Sequence, residues 1–321
     1  MERQATGWIN PEPPGLMDAS YIEIVRLMLH IAPHVFRTPD FAMKGGTALN
    51  LFLHDMPRMS VDIDVAFTNH TISRDEALKS IRQELQSLGE RLEPLGLKAT
   101  LVSTGDSEEV KILVSRDTVS VKVEVNYNFR GTLLRPREAR ISESARRSFA
   151  VDFAIPSLAR EELYGGKLVA ALDRQHPRDF FDVREMFLGN QFDAGVVDCF
   201  VCYLAGHNNT VHGVLFSKDK KITNLYEEQF VGMTTHPVSL AELQEARSNL
   251  RSALLTNLQD RHKQFLLGLV RLEPDWSLMP FPHLRELPAL RWKILNLEKL
   301  RRTNPKKFEL QSTELARHFG E

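Results

Sequence analysis

One stretch constrains the fold more than any other: residues 44–65, KGGTALNLFLHDMPRMSVDIDV. Lys44, Gly45, Gly46 and Thr47 read as a turn, and Leu49, Leu51, Phe52 and Leu53 give the next segment an apolar face before Pro57 stops it. Val61, Ile63 and Val65 then alternate with Asp62 and Asp64, which is strand periodicity. The alternation sends both carboxylates to one face of a sheet and the aliphatic side chains to the other. Two like charges at that spacing call for a cation between them, and a hard divalent ion such as Mg2+ or Mn2+ suits carboxylate and phosphate oxygens together. A Gly-Gly-Thr turn opening a helix lets backbone N–H groups approach an anion, which suits Gly45, Gly46 and Thr47 to phosphate. An isolated Asp-x-Asp also occurs on solvated strand edges, and a lone Gly-Gly-Thr says little. Joined at this spacing, with Arg58 and Ser60 between them as further nucleotide-site candidates, they describe the parts of a nucleotidyl-transfer site.

This segment resembles the first motif of the polymerase-β-type nucleotidyltransferases. In detail, GGTALNL followed by RMSVDIDV is similar to the AbiEii/AbiGii toxin branch, which includes the MenT toxins. The gap from Thr47 to Asp62 is long for the broad superfamily and ordinary for the branch. The resemblance implies an α/β (α+β) fold: a polymerase-β-type nucleotidyltransferase lobe with a small mixed sheet over residues 1–155, then a mainly helical lobe over 156–321.

Bulk properties agree with a globular protein of that size. The chain has 321 residues, enough to bury a large core, with 42% hydrophobic and 26% charged residues. It shows neither a membrane-length apolar run nor a secretory signal, which points to the cytoplasm. A net charge of −1 means that any nucleic-acid contact must use local basic patches. Cys199 and Cys202 lie in the apolar run VVDCFVCYLAG with no second pair to complete a zinc site, so they read as buried thiols.

Residues 1–15 read as an extended arm. Residues 21–36 have helical spacing; His30 and His34 fall at i and i+4 but lack a third ligand nearby. SRDEALKSIRQELQSLGERL opens on a capping Ser73 with an acid three residues on. Three strand-like runs follow, LKATLVS, EVKILVS and VSVKVEVNYNF, the last two joined as a hairpin at Arg116-Asp117. In the last run Lys122, Glu124 and Asn126 share one face. By resemblance, Glu124 supplies the third carboxylate, helping to hold metal or accepting the proton of the attacking hydroxyl. Its plain alternative is an ion pair with Lys122 or Lys111.

The second informative segment is IPSLAREELYGGKLVAALDRQHPRDFFDVREMF. Pro156 and Ser157 are expected to start one helix, and a second starts near Pro177. The segment resembles the family's later motif, a Lys followed by Arg-Asp-x-x-Asp. That resemblance implies that Lys167 touches the triphosphate, that Arg174 and Arg178 assist, and that Asp182 orients Lys167 or the nucleotide, while Asp179 can cap the second helix. Surface ion pairs at helical spacing would also explain the charges, though not Gly165-Gly166 ahead of the Lys.

Two basic stretches could meet RNA: residues 130–147, and the run from Arg291 to Lys307. Beyond residue 190 the chain reads as helical, with HNNTVHGVLFSKDKKI as a loop or hairpin. The family resemblance further implies NTP as substrate, a tRNA 3′ end as acceptor, and a DNA-binding, AbiEi-like repressor as cognate antitoxin. Two other readings stay open: a transferase for a small molecule or protein, and a nucleotide-binding regulatory module without turnover.

Overall fold

The computed structural model describes residues 19–103 and 109–320; the arm expected at residues 1–15 lies outside them. Seven strands form one mixed sheet: β1 (Phe41–Lys44), β2 (Asp62–Phe67), β3 (Lys98–Ser103), β4 (Val110–Arg116), β5 (Val119–Asn126), β6 (Arg137–Arg140) and β7 (Ala154–Ser157). Their order is β3-β4-β5-β2-β1-β7-β6. The two motif-bearing strands sit at its centre: β2 runs antiparallel to β1 and parallel to β5.

Alternation does the sorting. Ile63 and Val65 of β2, with Val121, Val123 and Val125 of β5, are buried. They pack under α1 (Ala19–Val35) and α3 (Arg74–Leu92), helices whose own apolar stripes close that side of the sheet. Ser73 and Glu76 form the expected capping box on α3. The opposite face carries Asp62, Asp64 and Glu124. Against it lie the short helix α2 (Gly45–Ala48), continued by a π-helical stretch at Leu49–Leu53, and the helix after β7.

That later helix is not where the sequence suggested. Pro156 and Ser157 belong to β7, and the helix α5 runs from Arg160 to Arg174. Ile155 and Ser157 alternate into the interior, and Pro156, which has no N–H to donate, is tolerated at the intervening position of a four-residue strand. This strand crosses the boundary expected at residue 155.

The remaining described chain is helical: α4 (Glu143–Phe149) on the sheet side, then α6 (Pro177–Leu188), α7 (Ala194–Ala205), α8 (Val211–Leu215), α9 (Thr223–Gln229), α10 (Leu240–Asn257), α11 (Asp260–Val270), α12 (Pro288–Thr303) and α13 (Pro305–Phe319). The HGVLF piece read as a loop or hairpin is the one-turn helix α8, capped by Thr210. Its five residues are too few to show a period in sequence. Helices α5 and α7 touch through Gly165, where an added Cβ would lie 2.6 Å from the Cβ of Cys199. The glycine therefore serves helix contact, and both cysteines are buried free thiols.

Candidate active site

The register of the central strands assembles the site. Lys44 at the end of β1 faces Asp64, and on the other side of β2 Asp62 faces Lys122 and Asp64 faces Glu124. Directly paired residues share a face, so Lys44, Asp62, Asp64, Lys122 and Glu124 all project from one surface. Gly45 turns the chain there with φ +75°, a conformation that favours glycine. A Cβ on Gly45 would come within 2.1 Å of Asp64 Oδ2, so the backbone of the turn is pressed against that carboxylate.

The Thr47 hydroxyl is occupied. It lies between Ser60 Oγ, at 2.8 Å, and the carbonyl oxygen of Asp62, tying the turn to the aspartate strand. Thr47 and Ser60 are both buried. What Thr47 can offer an anion is its backbone N–H.

Below the turn runs a buried charge network. Asp182 on α6 accepts hydrogen bonds from Arg58 Nε (2.8 Å) and Nη2 (2.7 Å) and from Asn50 Nδ2 (2.9 Å), and its Oδ2 lies 2.7 Å from Lys167 Nζ. Lys167 also reaches Asp179 Oδ1 at 3.1 Å, which Arg174 Nη2 approaches at 2.9 Å from the cleft mouth. Burial would raise the Asp182 carboxyl, but Arg58 and Lys167 override it and hold it far below the ordinary carboxylate range. Helix α6 is capped by the imidazole of His176, which accepts the Arg178 N–H, so Asp179 is an ion-pair partner rather than the cap. Arg178 is half-buried on α6 and takes no part in lining the cleft.

A cleft of about 350 Å³ opens between the sheet face and helices α5 and α7. Lys44, Gly45, Gly46 and Asp64 line one wall and Gly166, Lys167 and Arg174 the other; Asn126, Phe129, Tyr203 and the 206–208 loop complete it. Burial raises the Asp64 carboxyl, Asp62 and Glu124 push it further, and Lys44 and Lys167 only partly oppose them. Burial likewise lowers the Lys44 ammonium against the pull of Asp64 and Glu162.

Glu124 stands beside Asp64 as the resemblance implied, and it is also paired with Lys122 at 2.6 Å. Among the described residues no three carboxylate, imidazole or thiol groups converge as a ready metal cage. The donor chemistry still fits a hard cation, because Mg2+ commonly takes one or two carboxylates and completes its shell with substrate phosphates and water. Asp62 and Asp64 are such a pair.

Three participants were not singled out in sequence. Asn50 bridges Gly46 O and Asp182, and a buried Asn four residues along a helix from a glycine gives little signal. In the sequence Lys122 stands out only as a partner for Glu124. Glu162 is buried, accepts the N–H groups of Leu133 and Leu134 and the Tyr203 hydroxyl, and burial pushes its carboxyl up to about 6. Glu162, Gly166 and Asp173 repeat at helical spacing, and that stripe of α5 faces the cleft.

The sequence profile described as nucleotidyl transferase AbiEii toxin, type IV TA system, matches residues 26–294. The chain belongs to the AbiEii family. It is a nucleotidyltransferase, a toxin of a type IV toxin–antitoxin system, which implies an NTP substrate and an antitoxin partner. No curated protein matched the chain. Among solved structures it is similar to MenT4, a nucleotidyltransferase toxin from Mycobacterium tuberculosis, with 17% identity and a TM-score of 0.57 over 87% of this chain and 95% of that one. At that identity the likeness is one of fold, and it extends the shared architecture from the sheet into the helical lobe. No described helix is long and apolar enough to cross a membrane.

Proposed function

We propose that this AbiEii toxin transfers a nucleoside monophosphate from an NTP to the 3′-hydroxyl of an RNA acceptor, with tRNA as the acceptor class. The observation that carries the reading is the Gly45 turn pressed on Asp64, with Lys44 and Lys167 on opposite walls of one cleft. The backbone N–H groups of Gly45, Gly46 and Thr47 hold the β- and γ-phosphates. Lys167 offsets charge on the leaving pyrophosphate as a point charge, and Arg174 guides the triphosphate in from the mouth. Asp182 touches no substrate; it fixes Arg58 and Lys167 in place. Ser60 and Thr47 lock the turn onto β2.

Asp62 and Asp64, with Glu124 as a further ligand candidate, would hold Mg2+ or Mn2+, which supplies charge screening on the triphosphate and a more acidic acceptor hydroxyl. The acceptor oxygen attacks the α-phosphorus in line, the bond to the pyrophosphate oxygen breaks, and the hydroxyl proton passes to a carboxylate. Glu124, paired in register with Asp64, is the carboxylate assigned to that role. The protein's share is therefore positioning and electrostatics.

An antibiotic acceptor would call for an acidic cleft, and the lining here mixes Lys44, Lys167 and Arg174 with Asp64, Glu162 and Asp173. The test uses intact tRNA and tRNA whose terminal ribose diol has been oxidised with periodate. Labelling of the first and not the second supports transfer to the 3′ end. Equal labelling of both, or labelling of protein alone, refutes it.

A further inference from the structure

A second groove opens where the cleft ends. It measures about 210 Å³ and is lined by Trp292, Asn296 and Leu300 of α12, Lys307 and Gln311 of α13, and the 206–210 loop. Gly206 and Asn208 line both cavities, so the groove adjoins the catalytic cleft at this loop. The shared loop is held rigidly from below: the buried ammonium of Lys293 donates to His207 O at 2.8 Å and to Asn209 O at 2.7 Å.

The groove combines an exposed aromatic side chain with basic neighbours. Trp292 is 56% exposed, an unusual position for the largest apolar side chain. Trp292, Asn296 and Lys299 lie at i, i+4 and i+7, one stripe of α12. Residues 288–319 hold eight Lys or Arg against three acids, in a chain whose net charge is −1. Arg291, Lys299, Arg301, Arg302, Lys306 and Lys307 are all exposed, and none is held in an ion pair among the described residues. The basic residues near 140 differ: Arg140 and Arg146 pair with Asp152, and Arg146 and Arg147 pair with Glu143.

An exposed aromatic plane, amide side chains and unpaired cations leading into a nucleotidyl-transfer cleft are the elements that seat a single strand of nucleic acid: bases stack and phosphates follow the cations. We infer that the α12–α13 groove is the track for the single-stranded 3′ end of the RNA acceptor. A base just 5′ of the reacting hydroxyl stacks on Trp292, its backbone phosphates lie by Lys299 and Lys307, and the chain turns at Asn208 into the cleft. The inference rests on the RNA-transferase reading above and adds the surface that presents the acceptor.

The test compares the wild-type protein with Trp292→Ala, Trp292→Phe and Lys299→Glu/Lys307→Glu in labelled-NTP transfer to tRNA. All three replacements lie on the exposed surface, and thermal unfolding and the KM for NTP serve as fold controls. Trp292→Ala should raise the KM for RNA by about 5- to 150-fold, the range of base stacking on an aromatic side chain, with Trp292→Phe restoring most of it. The double charge reversal should flatten the salt dependence of the RNA KM by roughly 0.7 in log–log slope per lost phosphate contact, which a merely structural role would not do. If the wild type labels RNA and these variants keep its KM and salt slope, the track is refuted while the transferase reading stands. Loss of neutralisation by the antitoxin with RNA kinetics intact would refute it too, and would mark the groove as a protein-binding face. If the wild type labels no RNA at all, the acceptor reading fails and the track falls with it.

Discussion

Replacing Asp182 by Asn probes the charge network without emptying its space. The native carboxylate faces two guanidinium nitrogens, an amide and an ammonium, all within 2.9 Å. An amide there keeps one acceptor oxygen but turns an NH2 group toward the donors of Arg58 or Lys167 and leaves a buried cation uncompensated. Breaking a buried ion pair from one side costs about 3–5 kcal/mol. With an unfolding entropy of about 2.1 cal/mol/K per residue over 321 residues, each kcal/mol shifts the midpoint by roughly 1.5 °C, so D182N should melt about 4–7 °C lower. The sign of the pH dependence follows from Asp182 titrating below its unfolded value: its contribution is complete above the unfolded pKa and fades only as pH falls through the depressed one. The gap between wild type and D182N should therefore be flat from about pH 6 to 9. Thermal and urea unfolding across that range measure it, and steady-state transfer should show a kcat about 100-fold lower because Lys167 is no longer fixed. A stability loss under about 1 kcal/mol would refute the claim that Asp182 organises this side of the cleft.

Other outcomes are equally specific. Gly45→Ala should cut transfer by at least about 100-fold with a modest stability loss, since the new methyl meets Asp64 Oδ2 and the residue must keep φ +75°; metal-dependent activity beside a melting curve checks both. Glu162 titrates near 6 in the fold against 4.5 outside it, so its contribution is present below pH 4.5 and lost as pH rises through 6. Relative to Glu162→Gln, the wild type should therefore lose about 2 kcal/mol of stability between pH 4 and pH 7, read by denaturant unfolding. Thr47→Val removes a buried hydroxyl shared by Ser60 and the Asp62 carbonyl and should cost about 1–3 kcal/mol while leaving the turn's N–H groups in place, which unfolding and the KM for NTP would separate.

The residues that the fold brings together around β2 are more legible in the sequence than the elements that surround them. The Asp62–Asp64 strand and the turn at Gly45 declare themselves because a period of two and a glycine pair are local signals. The strand hairpin before Tyr127 was legible for the same reason. The start of α5 was misplaced because a short strand holding Pro156 resembles a helix N-terminus when its partner strand is not known. Asn50 and Glu162 gave no warning, since their roles arise from contacts across α6, α7 and the 133–134 backbone, far away in sequence. Arg58 was placed near the nucleotide by its position between the motifs; only the fold shows its guanidinium locked to a carboxylate 124 residues further on.

The central claim is that Asp62 and Asp64 are the metal-holding heart of an NTP-dependent transferase acting on RNA. The direct measurement incubates purified wild type and Asp62→Ala with Mg2+, each α-labelled NTP in turn and total tRNA, after confirming equal folding by circular dichroism. Label on tRNA from the wild type, abolished by chelation and absent in the variant, is the predicted result. Undiminished labelling by Asp62→Ala, or NTP binding by the wild type with no transfer to RNA, would contradict it.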